Sequence, residues 1–462
     1  MLLENNLDDI FTSYDESIFS DGSIDPMGLR IIWTSLGNKI FYNKINTIST
    51  DIRYYTLNLF HHYLLYKCTV DWADKINGLV RKPPYINKSD LYEGILIFLE
   101  NLLTRSTYEA PKMQPSNYTV PGLSKLKGLL LKDDKDNNGN KLVVKRTSGI
   151  LVRQYLLGIH GRHKGPFMQM GILNSNSEVP YNNTALWENV GLLFSGNPWK
   201  SAAKNLLSLI DSKILSVVPK SGKEIEYKIE EILNPIIIKA YASILTPSLY
   251  SGDTVKSFWE RQLGLHQGTA ANLFTAYKEF TDKSNYQGII EKAKDEYKDE
   301  IINAIVAIEP FITCIDKMAK RILLRGTSFI NDELITTANY WLNLTTIQID
   351  KMEAFLSDVF FNPEAISRLR RLMKIYTSSK QSINPPIEFI KQLIQYHNEI
   401  MKSRGHMHWV SIGSDNKITI HKSLYFTNAE LEKLKQPSWI NNYYLSTLDS
   451  LYKGLNLTNE VI

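Results

Sequence analysis

Apolar residues recur at helical spacing along most of the chain. Leu57, Phe60, Leu64 and Leu65 share one face, as do Ile95, Phe98, Leu99 and Leu102. Pro83 and Pro84 separate the two helices these residues predict. Residues 105–135 hold Pro111, Pro115, Pro121 and Gly122 and read as a loop-rich connector. The pattern then changes. Lys141–Arg146 and Ile150–Leu157 are β-branched or apolar runs joined by Thr147, Ser148 and Gly149, which predicts a hairpin over 141–157. A stretch punctuated by Gly158, Gly161, Gly165 and Gly171 follows.

From about residue 186 to 360 the helical pattern returns, beginning with Leu206, Leu209 and Ile210. Residues 223–233 also read as helix. Residues 285–309 predict one helix, with Glu291, Lys294, Glu296 and Lys298 toward water and Ile301, Ile305 and Ile308 inward. Pro310 is expected to end or kink it. No internal repeat appears at solenoid periods.

The last hundred residues have a definite order. Pro363–Tyr376 predicts a helix starting after Asn362, and Pro385–Lys402 a second, with proline where its missing N–H costs nothing. Residues 408–412 and 417–421 alternate as strands, joined by Gly413, Ser414, Asp415 and Asn416. Helix, turn, helix, hairpin is the order of a winged helix, and equally of a generic α+β terminal module. The fold class expected is therefore mostly α with small β-hairpin elements (α+β). A multi-domain division is expected at 1–130, 131–185, 186–360 and 361–462, the last a winged-helix-like module.

Composition bounds this picture. A chain of 462 residues with 43% hydrophobic and 22% charged residues is ordinary for a globular protein of two to four domains. Cys68 and Cys314 are the only cysteines, which excludes a disulfide framework; both lie in apolar stretches and read as core thiols. Residues 1–26 carry Glu4, Asp8, Asp9, Asp15, Glu16, Asp21 and Asp25 and no Lys or Arg. Neither a secretory signal nor a transit peptide has that composition. With no 18-residue apolar run, the chain is expected to be cytoplasmic, without a membrane partner.

Net charge changes the picture more. The formal total of +5 becomes +12 once the acidic start is set aside. Residues 137–177 hold Lys141, Lys145, Arg146, Arg153, Arg162 and Lys164 and no acid. Residues 365–424 hold ten Lys or Arg against Glu388, Glu399 and Asp415. Clustered positive charge attracts polyanions by releasing counterions; a solvated basic face gives the same count. Arg368, Arg371 and Lys374 fall at helical spacing on what reads as a solvent face, and Arg404 follows on the next helix. These ten side chains are the candidate nucleic-acid contacts.

Candidate chemistry is sparse. Asp134, Asp136, Asn138 and Gly139 match half of a calcium loop, but Lys145 stands where its closing Glu belongs. His406 and His408, with His397 and His421 nearby, form the densest histidine group, and two imidazoles two apart on a strand could share a metal. Asp415 could add an oxygen. His160 and His163 flank Arg162 and precede Lys164, which repel a divalent cation; the flexible glycines there suit a phosphate instead. Glu226 and Lys228, with Asp211, faintly echo a metal nuclease. No phosphate-binding loop, dinucleotide fingerprint, nucleophile elbow or zinc spacing occurs.

Three functions remain open. The first is a non-catalytic, nucleic-acid-associated or scaffold subunit of a multi-protein microbial assembly, by association of the antiphage-defence or mobile-element type, with DNA or RNA and protein partners and no cofactor. The second is a metal-dependent hydrolase using His406 and His408. The third is a purely protein-binding helical scaffold.

Overall fold

A computed structural model describes residues 25–80, 83–112, 119–131, 139–176, 179–219, 222–324 and 328–456. Among them are twenty α-helices and two two-stranded antiparallel sheets, so the mostly helical class with two small hairpin-like sheets holds. No helix among the described residues is long and apolar enough to cross a membrane. Both cysteines are buried thiols.

The described chain folds as two units, each assembled from separate stretches of sequence. One is built on Asn43–Leu263 with the stretch from Thr447; the other combines the stretch up to Tyr42 with Gly264–Ser446. Each unit joins segments hundreds of residues apart, and periodicity along the chain carries no trace of that pairing.

In the first unit the 22-residue helix Lys88–Glu109 is the spine. Asn87 caps it, accepting the Asp90 N–H at 2.8 Å. Residues from Leu91 to Leu103 are buried nearly all round, as expected of a helix packed on several sides. The helices Ile52–Asp71 and Pro235–Ile244 lie against it, as does strand β1 (Lys141–Val143). Gly94 lets β1 approach: a side chain there would meet the Val144 and Lys145 backbone at 3.1 Å.

The hairpin expected over 141–157 does not form. β1 pairs instead with β2 (Glu226–Lys228), matching Lys141 with Lys228 and Val143 with Glu226. Residues Gln154–Leu157 are a helical turn. The cause lies in the spine helix. Asn101 donates from Nδ2 to the Ser148 carbonyl at 3.3 Å and accepts the Ile150 N–H at 3.2 Å. Backbone groups that a returning strand would have used are thus taken by a side-chain amide. Residues 223–233 are not a helix either: Glu226–Lys228 is the strand that pairs with β1, followed by a single 3-10 turn.

In the second unit, the helix expected over 285–309 breaks at Tyr297 and resumes as Glu300–Ile322. Asp299 causes the restart, accepting the N–H groups of Ile301 and Ile302 at 3.0 and 3.2 Å. Pro310 neither ends that helix nor marks its boundary; the helix runs through it.

The terminal order is as expected. Helix Pro363–Lys380 is capped by Asn362, which accepts the Ala365 N–H at 2.8 Å, and Pro385–Ser403 begins at a proline. Ile366, Leu369 and Leu372 are buried. β3 (Val410–Ile412) and β4 (Ile418–Ile420) pair with Val410 opposite Ile420, and β3 packs on the Pro385–Ser403 helix. The hairpin is not freestanding: the Ile418 N–H donates to Ser328 and the Leu424 N–H to Leu323, both at 2.9 Å.

Candidate functional site

The first basic segment is positive along the sequence and largely compensated in space. Lys141 pairs with Glu226 at 3.2 Å and Lys145 with Glu224 at 2.6 Å. Glu93, on the spine helix, holds both Arg146 at 2.8 Å and Lys164 at 3.2 Å. Arg146 also lies 4.9 Å from the Tyr155 ring centre. Arg162 is half-buried. Arg153 is exposed, at a left-handed φ of 65°.

In the second segment the candidates part company. Arg368 is not on the solvent face. Its side chain is 13% exposed, pairs with Glu364 and donates to the Gly28 carbonyl at 2.8 Å. Arg404 donates to the Asp25 carbonyl at 2.6 Å. Arg371 is partly exposed, paired with Glu399 and 5.2 Å from the Tyr396 ring. Lys374 is exposed, and Arg370 stands one turn before it. Ser367, Arg370, Arg371 and Lys374 line an open cavity of about 520 Å³, with Asp358 also on its wall. The spacing 368, 371, 374 passes over Arg370. The 370–374 spacing, opposite buried Leu369 and Leu372, is the signal that separates the outward face from Arg368.

The histidines also divide. His397 is buried and locked in one tautomer: Nδ1–H donates to the Pro26 carbonyl and Nε2 accepts the Trp409 N–H, each at 2.9 Å. Burial lowers its pKa. His406 and His408 are exposed and lie just before β3, not on it. The rings of His408 and His421 are 5.1 Å apart, and Ser411 Oγ is 3.2 Å from His421 Nε2. All three imidazoles line a cavity of about 250 Å³ with Lys422, whose ammonium sits 4.7 Å from the Trp409 ring. Asp415 is used in the hairpin turn, accepting the Lys417 N–H at 3.1 Å. Among the described residues no three His, Cys, Asp or Glu side chains are grouped to hold a metal.

His160 and His163 lie on the helix Ile159–Gln169 and are buried, so they do not form a flexible phosphate loop. The acceptor at that helix start is the protein's own carboxyl group. Glu100 accepts the His160 backbone N–H, and Gln154 Nε2 donates to its second oxygen at 2.7 Å. His62 bridges outward, with Nε2 3.1 Å from His160 Nδ1 and Nδ1 2.9 Å from the Tyr181 hydroxyl. Burial raises Glu100 to about 7 and pushes His160 down to about 3 and His163 to about 4. In the sequence Glu100 is legible only as one acid inside an apolar run, and His62 likewise.

The nuclease-like trio is not assembled. Asp211 is engaged by Lys75 and Ser216, while Glu226 pairs with Lys141. The calcium-like residues 134, 136 and 138 lie outside the described residues. Comparison with protein families, curated proteins and solved structures gives no match.

Proposed function

We propose that the chain is a nucleic-acid-binding subunit whose contact surface is the outward face of helix Pro363–Lys380. The observation that supports this is the open, basic cavity lined by Ser367, Arg370, Arg371 and Lys374. Two cations one turn apart with a hydroxyl beside them suit phosphates about 6–7 Å apart along one strand, and phosphate contacts give affinity with little base reading. Glu399 competes for Arg371, but an exposed ion pair is worth about 1 kcal/mol or less and yields to a denser anion. The segment 141–164 takes a lesser part in this reading, because Glu93, Glu224 and Glu226 already neutralise most of it. In the same reading the two helices and the β3–β4 hairpin serve as a winged-helix-like module, and catalysis is left to a partner protein.

The test is a titration of the full chain with duplex DNA and with single-stranded RNA at two salt concentrations. Three phosphate contacts predict a log–log salt slope of about −2.7 on duplex. The double variant Arg370→Glu, Lys374→Glu should bind more weakly to every sequence and flatten that slope. No binding by the unaltered chain at low salt, or an unchanged slope in the variant, removes the reading and leaves the protein-binding scaffold.

A further inference from the structure

We infer that the cavity beside the β3–β4 hairpin is a second, separate site, for a phosphate monoester. Its volume of about 250 Å³ has room for a phosphate group together with part of the ester substituent it carries. His406, His408, His421 and Lys422 are on its wall and no carboxylate is among its lining residues. An imidazole serves an anion as an N–H donor and a metal as a lone-pair donor. Three features decide for the anion. No trio of ligands is grouped for a metal among the described residues. The Lys422 ammonium adds positive charge, which repels a cation and attracts a dianion. Ser411 Oγ, 3.2 Å from His421 Nε2, holds that ring against the hairpin, so one of the three imidazoles already has a partner other than a metal.

The backbone holds these groups where they are. The His421 N–H donates to the Trp409 carbonyl at 2.7 Å, and the Lys422 N–H reaches the same oxygen at 3.2 Å. Trp409 is itself fixed by His397. The side chains facing the cavity therefore hang from a clamped frame, while His406 and His408 remain exposed to an entering ligand.

This site does not depend on the Pro363–Lys380 surface, and the two are separable by experiment. The full chain is titrated by calorimetry with inorganic phosphate, with adenosine monophosphate and with Zn²⁺. Saturable millimolar-range binding of phosphate or the monophosphate, about tenfold weaker in the double variant His408→Ala, His421→Ala, supports the site. The variant Arg370→Glu, Lys374→Glu should bind the monophosphate as the unaltered chain does. Both substituted histidines are exposed, so unchanged thermal unfolding serves as the folding control. A short oligonucleotide bearing a 5′-phosphate, compared with its 5′-hydroxyl form, separates the two sources: preference for the former identifies a strand end, equal binding a free monoester. No saturable phosphate binding, phosphate binding unaffected by the histidine variant, or Zn²⁺ binding alone would each overturn the proposal.

Discussion

Glu100 accepts a hydrogen bond from the backbone N–H of His160, at the first turn of the helix Ile159–Gln169. A carboxylate from one helix thus closes the exposed donors of another, where the helix dipole favours negative charge. Gly158 makes the approach feasible, since a side chain there would collide with both Glu100 and Gln154.

Burial outweighs those hydrogen bonds and raises Glu100 to about 7. The folded chain then keeps a proton that the unfolded chain releases near pH 4.3. Glu100's contribution is fully present below that value and is lost as pH rises toward 7, by about 3 kcal/mol. Glu100→Gln mimics the protonated form at all pH. Its stability relative to the unaltered chain should improve by about 2 kcal/mol between pH 5 and 7, measured by denaturant unfolding. Parallel profiles would show that Glu100 is ionised throughout.

Buried histidines work in the opposite direction. Burial lowers His61 and His160 to about 3 and His163 to about 4, and lowers His62 and His397 as well. Each is neutral when folded and takes up a proton on unfolding below about pH 6.5. Their stabilisation is present above that pH and lost as pH falls, at up to about 1.4 kcal/mol per unit per group. Five such groups outweigh one glutamate, so unfolding midpoints should drop steeply from pH 6.5 to 5. His397→Ala should cost about 2–4 kcal/mol, because it leaves the Trp409 N–H and the Pro26 carbonyl unpaired. Exposed His406→Ala should cost under about 0.5 kcal/mol. A thermal melt of the two variants side by side decides.

What is legible in the sequence is local. Asn362 before Pro363, the proline at Pro385, and the alternation on both sides of Gly413 fix elements within a few residues of themselves, and those elements stand in the structure. Ile366, Leu369 and Leu372 are the buried stripe that their spacing predicts. What is not legible is the partner. β1 finds Glu226–Lys228 rather than the next apolar run because Asn101 occupies the intervening turn. The basic segment 141–164 looks unopposed until Glu93, Glu224 and Glu226 arrive from outside it. Charge counted along a chain measures the surface field only where no distant acid folds against it.

Glu309 is buried midway along helix Glu300–Ile322 and collects donors from three directions. Trp33 Nε1 and the Tyr443 hydroxyl reach Oε2 at 2.7 and 2.6 Å; the Ile440 and Asn441 N–H groups reach Oε1 at 3.2 Å. Replacing it by Leu removes the acceptor for all of them and leaves buried donors unsatisfied. The expected cost is about 3–5 kcal/mol, with a change in the near-ultraviolet signal of Trp33. Glu309→Gln keeps one acceptor oxygen but turns an N–H toward donors, so it should recover only part of the loss. Thermal unfolding followed at 295 nm or so reads both. A loss below about 1 kcal/mol in the Leu variant would mean that water replaces the carboxylate.

Arg368 and Arg370 are two apart on one helix, yet Arg368 holds the Gly28 carbonyl and Arg370 faces outward. Gly28 has a φ of +68°, and a side chain there would collide with the Arg368 guanidinium, so that contact leaves no slack. Arg368→Ala should therefore destabilise by about 1–3 kcal/mol through an unpaired carbonyl, while nucleic-acid affinity at a temperature where the variant is folded stays the same. Arg370→Glu and Lys374→Glu should leave the melting temperature within a degree or so, since each changes an exposed side chain. Their effect should fall on affinity instead, with the salt slope on duplex flattened by about 1.8 when two phosphates go unneutralised. Paired melting and filter-binding measurements on the three variants test the assignment. If Arg368→Ala lost affinity without losing stability, the binding face would turn toward Gly28; if the two glutamate variants melted early, their side chains would be structural and the proposed phosphate surface would fall with them.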